Sequence, residues 1–142
     1  MKNLKCLIFN ELPKDSIDIR NEVFVVEQGF KEEFDTIDHT AIHFVVYHEG
    51  EAIGTARIYF SKEHNCYSLG RFAIIKAYRK QGVGTFLIKE IESYIITNFG
   101  HLTLGLSSQK RAIPFYKKCG YHEVGEPYLD ENYPHIWMIK EL

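Results

Sequence analysis

The sequence predicts an α/β domain built on one mixed sheet of about seven strands flanked by helices. Three observations predict it. Short apolar runs bounded by turn residues recur through the first 75 positions, the spacing of strands. The apolar period then changes to steps of three and four over residues 83–99, the period of a helix. Beyond residue 100, strand-like and helix-like segments alternate to the end. At 142 residues, 45% of them apolar and 25% charged, the chain can bury a core, and no repeat, linker or low-complexity stretch divides it, so 1–142 reads as one domain.

The elements follow in order. Residues 5–9 read as a strand, ended by Pro13. Asp15 or Ser16 caps a helix running through Ile19, Val23 and Phe24 toward Glu27. Residues 29–41, with Gly29 and many acidic groups, read as a loop. Strands at 43–47 and 52–60 make a hairpin across Glu49-Gly50, and a third strand follows at 66–75. Val83, Phe86, Leu87, Ile91, Tyr94, Ile95 and Phe99 form one face of a long helix that Gly100 stops. Leu102, Leu104 and Leu106 alternate as a strand. Ala112, Phe115, Tyr116 and Cys119 line a short helix closed by Gly120, with Pro114 acceptable only in its first turn. Strands at 121–125 and 135–139 finish the chain, joined by a loop holding Pro127 and Pro134.

Composition removes several function classes. A net charge of −2 carries no nucleic-acid footprint, the only basic patch being residues 76–80. Cys6, Cys66 and Cys119 are odd in number and far apart, which argues against a disulfide framework or a metal site and for a reducing cytoplasm. No apolar run approaches a membrane span and the N-terminus lacks a signal-peptide pattern, so a cytoplasmic chain without a membrane partner is expected.

The strongest chemical signal is Arg79-Lys80-Gln81-Gly82-Val83-Gly84-Thr85, between a strand and the long helix. Glycines at a helix start let backbone N–H groups approach an anion, and the helix terminus and two cations add positive potential. The run reads as a pyrophosphate cradle. It is not a dinucleotide fingerprint, because Leu87 stands where a third glycine or alanine is needed, and the Gly-Lys-Ser/Thr of a P-loop is absent.

This run resembles the Arg/Gln-x-x-Gly-x-Gly/Ala motif of the GNAT N-acetyltransferase superfamily. The preceding Gly70-Arg71-Phe72-Ala73-Ile74 strand is similar too. So is Gln109-Lys110-Arg111-Ala112-Ile113-Pro114-Phe115-Tyr116-Lys117-Lys118-Cys119-Gly120-Tyr121, which resembles the superfamily's Asn-x-x-Ala-x-x-Phe-Tyr-x-x-x-Gly-Phe block, with Gln109 in the place of Asn. Arg20-Asn21-Glu22-Val23-Phe24-Val25-Val26-Glu27-Gln28 and Pro134-His135-Ile136-Trp137-Met138 resemble the ElaA/YjcF-like branch.

The resemblance implies the GNAT acyl-CoA N-acyltransferase fold, acetyl-CoA as cofactor and direct transfer of the acetyl group to a primary amine. It implies that the main chain of Phe72, Ala73 and Ile74 pairs with the pantetheine arm as an added strand would. The backbone of Gln81, Gly82, Val83, Gly84 and Thr85 would hold the pyrophosphate, with the Thr85 hydroxyl as a further donor. Arg79 would pair with phosphate, and Lys80 would do the same or remain a solvated charge. Gln109 would contact the cofactor, and Phe115 would pack on the cofactor arm or the core. Tyr116 would protonate the departing thiolate, or else serve in core packing. A strand N–H near Ile74 would stabilise the oxyanion.

For the base that deprotonates the amine, Glu27, Glu33, His43 and His135 are candidates beside water, with His43 the more structural of the histidines. Arg20 and Glu27, seven apart on the first helix, bind a charged substrate or pair with each other. The acidic stretch Glu32, Glu33, Asp35 and Asp38 reads as a solvated loop, and its spacing is not that of a calcium loop. Cys119 reads as a structural thiol. Two other functions stay open: a catalytically silent acyl-CoA-binding module, and an acyl-homoserine-lactone-synthase-like acyltransferase. The acceptor is a small-molecule or peptide amine, and a sheet edge leaves room for a homodimer.

Overall fold

The computed structural model describes residues 1–31 and 34–142. Its strands are β1 (Leu4–Phe9), β2 (Ile42–His48), β3 (Glu51–Ser61), β4 (Cys66–Ile74), β5 (Thr103–Gln109), β6 (His122–Asp130) and β7 (Tyr133–Glu141). The helices are α1 (Lys14–Arg20), α2 (Val83–Phe99) and α3 (Ile113–Lys118). All seven strands join one sheet in the order β1-β2-β3-β4-β5-β7-β6. Every neighbour pair is antiparallel except β4 with β5, so the expected mixed sheet of seven strands is present.

The two faces are covered differently. On one, Leu87, Ile91 and Ile95 of α2 pack with Phe44, Ile58, Leu104 and Leu106 of the sheet, all 0–1% exposed. Each such side chain contributes about 1.5–3 kcal/mol by leaving water. On the other, Ile19, Val23 and Phe24 cover Val45 and Ala73. Glu49 (φ 50°) and Gly50 (φ 84°) make the expected two-residue turn between β2 and β3. Pro114 lies in the first turn of α3, where its missing N–H costs nothing.

Four local expectations are corrected. Neither Asp15 nor Ser16 caps α1: Pro13 holds the N-cap position, Ser16 is buried on the Thr55 hydroxyl at 2.8 Å, and Asp15 accepts from the Tyr47 hydroxyl. The first helix does not keep its pitch. Beyond Arg20 it widens into a π-helical turn over Asn21–Glu27, with Gln28 N–H bonded to the Val23 carbonyl at 3.0 Å. A wider turn breaks the seven-residue return to one face, so Arg20 and Glu27 diverge. The final loop is shorter than expected. Pro127 falls inside edge strand β6, within the register shift between Val124 and Tyr128, and Pro134 lies one step past the last β5–β7 pair, Gln109 with His135. Lastly, Asp35 and Asp38 are not a solvated stretch; Asp38 is 5% exposed at the heart of an ion network.

The parallel pair positions the site. β4 and β5 pair only at Tyr67–Leu69 with Leu104–Leu106. Past Leu69 and Leu106 both strands continue, to Ile74 and Gln109, without pairing each other. The sheet therefore parts into a gap whose edges are not paired strand to strand.

Candidate active site

The β4 edge of the gap carries donors. Ile75 N–H donates to the Ile53 carbonyl at 2.9 Å, so that residue faces β3. In an antiparallel ladder successive peptides alternate, and the Ile74 N–H and carbonyl turn the other way, into the gap. Ala73, next along the strand, pairs with Thr55, so an extended Phe72 before it turns its own N–H away from β3 by the same alternation.

The glycine loop closes one end. Lys80 (φ 61°) and Gly82 (φ 86°) both sit in the left-handed region, which turns the chain from β4 into α2. The first intrahelical bond is Phe86 N–H to the Gly82 carbonyl, so the N–H groups of Val83, Gly84 and Thr85 lie ahead of the helical ladder. A Cβ on Gly84 would stand 3.0 Å from Phe115 and 3.7 Å from Phe72, so only glycine lets this helix start approach the two rings. Lys80 has no ion-pair partner among the described residues.

α3 roofs the gap. The rings of Phe72 and Phe115 lie 5.7 Å apart, Phe72 and Tyr116 6.0 Å, and Tyr116 and Tyr121 6.1 Å. The Tyr116 hydroxyl has no hydrogen-bond partner among the described residues, and burial, with a smaller effect of Cys119, pushes its pKa well above that of a free phenol. It therefore keeps its proton across the neutral range, where it can serve as an acid and not as a base. Cys119 is a half-buried thiol whose pKa burial also raises, which fits packing and not nucleophilic chemistry. Phe72, Gly84 and Phe115, expected at the cofactor, and Tyr116, expected to protonate the thiolate, thus meet in one place.

Arg79 does something else. Its Nη1 and Nη2 donate to Glu27 at 2.6 and 2.7 Å, and its Nε donates to the Ile74 carbonyl at 2.8 Å. This guanidinium clasps the end of β4 to the π turn, which takes it away from the expected phosphate contact. Glu27 is held below the usual carboxylate range by the Arg79 hydrogen bonds, against the opposing effect of desolvation, so it is a poor base. Next to it, Gln28 accepts from Gln109 Nε2 at 3.1 Å, and Gln109 Oε1 accepts from Arg111 Nε at 3.1 Å. Gln109, expected at the cofactor, is committed on this side.

Glu27, Gln28, Phe30, Gln109, Lys110, Arg111, Tyr133 and Pro134 line an open cleft of about 700 Å³. Its wall is aromatic where Phe30 meets Tyr133 edge-on at 5.2 Å, and basic at Lys110 and Arg111. His135 borders it, only 8% exposed, opposite Gln109 in register and stacked on Tyr128. Its Nδ1 lies 2.9 Å from the Tyr133 carbonyl, which assigns the proton there and makes Nε2 an acceptor in the neutral ring.

Arg20 and His43 leave the site. Arg20 is 1% exposed and places Nη1 and Nη2 on Asp38 at 2.8 and 3.0 Å; it is a structural anchor with no route to a substrate. His43 is 1% exposed with Nε2 3.0 Å from the Asp38 carbonyl, and burial lowers its pKa. Glu33 lies outside the described residues. Sequence reasoning passed over Phe30, Lys110, Arg111 and Tyr133, whose only signal was position beside motif residues. It also undervalued Asp35 and Asp38, although their three-residue spacing ahead of a turn resembles a capping box, and Asp35 N–H does reach Asp38 Oδ2 at 3.2 Å.

The comparisons with known proteins agree with this geometry. The family model described as an acetyltransferase (GNAT) domain matches residues 12–142. The uncharacterized N-acetyltransferase YjcF of Bacillus subtilis is 34% identical over 131 residues, covering 90% of this chain and 91% of the relative. The crystal structure of Escherichia coli ElaA superposes with a TM-score of 0.86 at 26% identity, over 97% of this chain and 99% of that one. A GNAT family acetyltransferase from Elizabethkingia anophelis, solved with acetyl-CoA bound, shares the fold at 16% identity and a TM-score of 0.75 over the whole of both chains.

Proposed function

The chain belongs to the GNAT acetyltransferase family, in its ElaA/YjcF-like branch, and from that premise we propose that it transfers an acetyl group from acetyl-CoA directly to a primary amine. One observation carries the reading. The sheet opens between β4 and β5 just where Phe72 and Ile74 turn their N–H groups outward, beside the helix start at Val83–Thr85 and beneath Tyr116.

Acetyl-CoA fits this gap by its chemistry. The open edge of β4 would pair with its amide-bearing arm as with an added strand. The advanced N–H groups of Val83, Gly84 and Thr85, with Lys80 beside them in sequence, would hold its pyrophosphate. When bound, it supplies an activated thioester. The chain's own groups then act on it: the outward N–H of Phe72 or Ile74 donates to the thioester oxygen as charge develops there. Tyr116 hands its proton to the leaving sulfur. The same dry setting that disfavours a bare thiolate also disfavours the phenolate this leaves, so the proton the amine gives up must restore the phenol at the end of the cycle. The acceptor enters by the cleft on the other side, where His135 Nε2 is the best-disposed side-chain proton acceptor. Arg79 and Glu27 hold the cleft's rim.

A thiol-release assay with acetyl-CoA over a panel of small amines, amino sugars and peptides tests the proposal. Thiol release matched by acetylated product is expected for at least one acceptor. Tight coenzyme A binding with no turnover on any amine would favour the silent binding module. Turnover only with S-adenosylmethionine would favour the lactone-synthase reading.

A further inference from the structure

β4 is irregular at one step, and that step adjoins the point where the sheet parts. Arg57 faces Gly70 and Thr55 faces Ala73, so Arg71 and Phe72 together stand opposite Ala56 alone. This is a β-bulge. Arg71 has φ 50°, a left-handed conformation that a long side chain rarely holds without help. The last β4–β5 pair, Leu69 with Leu106, lies two residues before it, and the outward Phe72 N–H comes directly after it.

The Asp35 carboxylate spans the irregular step. Asp35 accepts from Arg57 Nη1 at 2.6 Å and Nη2 at 3.1 Å on the β3 side, and from Arg71 Nη2 at 3.4 Å on the β4 side. Arg57 is itself fixed, being 3% exposed and donating from Nη1 to Asp38 at 2.9 Å. Asp38 in turn is fixed by Arg20. The chain of anchors therefore runs from the buried Arg20 at the end of the first helix to the bulge, beside the proposed reacting centre.

We propose that Asp35 is a positioning residue for acetyl transfer: by tying Arg57 to Arg71 across the bulge, it holds the left-handed step that aims the Phe72 N–H at the thioester oxygen. The inference rests on the acetyl-transfer reading. Asp35 itself touches no reacting atom.

The carbonyl stretch of carbonyl-13C acetyl-CoA bound to the full chain, read by isotope-edited infrared spectroscopy, tests it without knowledge of the acceptor. Wild-type protein should lower the stretch relative to free acetyl-CoA. Asp35→Asn should lose that shift while retaining affinity for coenzyme A, which the pyrophosphate cradle sets. Asp35→Asn combined with Arg71→Gly should restore the shift, because glycine takes a positive φ with no tether. An unchanged stretch in Asp35→Asn, or no recovery in the double variant, would overturn the inference. If Asp35→Asn does not fold, Arg71→Gly against Arg71→Ala carries the same contrast: glycine keeps the shift and alanine loses it, and equal behaviour refutes the role. A wild-type chain that binds no acetyl-CoA overturns the acetyl-transfer reading and this inference together, whereas binding with a stretch that ignores Asp35 overturns this inference alone.

Discussion

The gap between β4 and β5 has two walls made on different principles. The wall proposed for the cofactor is main chain: the outward peptides of Phe72 and Ile74, the helix start at Val83–Thr85, and rings from α3 that follow soon after β5. The wall proposed for the acceptor is side chain, joined over long spans: Glu27 to Arg79 across 52 residues and Gln28 to Gln109 across 81. A main-chain wall needs only the right backbone path, so nearly any side chain that permits the path will do. A side-chain wall needs each partner in place, so it depends on whatever anchors the π turn and the loop behind it. The contrast teaches that damage to the acceptor side should register first as instability, and damage to the cofactor side as lost binding or turnover.

Asp38 gives the largest test of that contrast. Removing one member of a buried ion pair typically costs about 3–5 kcal/mol, and Asp38 is the carboxylate that Arg20 and Arg57 share. Asp38→Ala should lower the melting temperature by roughly 10 °C or more. Burial alone would raise the Asp38 pKa, but hydrogen bonds from both arginines outweigh it and hold the group well below the usual carboxylate range. A depressed folded pKa means the stabilisation is complete above the unfolded value of about 3.9 and fades as pH falls below it. Acid unfolding should therefore be much less pH-dependent in the variant. A melting curve within error of wild type at neutral pH would show that the acceptor wall does not hang on this network.

Tyr116→Phe comes next and acts on the opposite wall. The ring packing with Phe72, Phe115 and Tyr121 survives the change, and only the hydroxyl is lost. Turnover should fall by about 10²-fold or more, the usual range for a positioned proton donor. Acetyl-CoA affinity, measured by calorimetry, should hold. Unchanged turnover would return Tyr116 to core packing.

What the sequence made legible follows the same division. The order of elements, the hairpin turn at Glu49-Gly50, the long helix and the glycine loop are local, and each was readable from a run of adjacent residues. The gathering of Phe72, Gly84, Phe115 and Tyr116 was readable as well, because their backbone path follows from motif spacing. The acceptor wall was not. The π turn over Asn21–Glu27 leaves no periodic trace that separates it from an α-helix, so Arg20 and Glu27 were read as one face and instead take separate partners, Asp38 and Arg79. Arg79 reads as a phosphate ligand from the glycine loop beside it, and its contacts in the fold are Glu27 and the Ile74 carbonyl. The burial of Asp38 is a tertiary fact: a carboxylate in a polar run reads as solvated until two arginines from elsewhere close on it.

Gly84→Val is a smaller perturbation that probes the meeting of helix start and rings. The added Cβ would stand 3.0 Å from the edge of Phe115, tight enough that the ring must give way. Overpacking of this kind costs about 1–3 kcal/mol, and here it should appear chiefly as weaker coenzyme A binding, because the displaced atoms border the pyrophosphate cradle. The comparison variant is Ile96→Val on the exposed side of α2, which should leave both stability and binding unchanged. Full affinity in Gly84→Val would mean that the cofactor lies elsewhere.

Glu27→Gln should have the smallest effect and decides the most about the acceptor wall. The pair with Arg79 is about one-third exposed on each side, so its loss should cost no more than about 1 kcal/mol in stability. Gln keeps one acceptor for Arg79, and the Nε bond to the Ile74 carbonyl is untouched. A carboxylate already held low by a guanidinium takes up protons poorly, so turnover should fall less than about ten-fold, short of the 10²–10⁴ that a general base contributes. His135→Gln measured beside it supplies the contrast: it should lower turnover by about 10²-fold or more, the usual contribution of a positioned base, while Glu27→Gln does not. A hundred-fold loss in Glu27→Gln with none in His135→Gln would move the proton acceptor from the β7 side of the cleft to the π turn, and with it the direction from which the amine approaches the thioester.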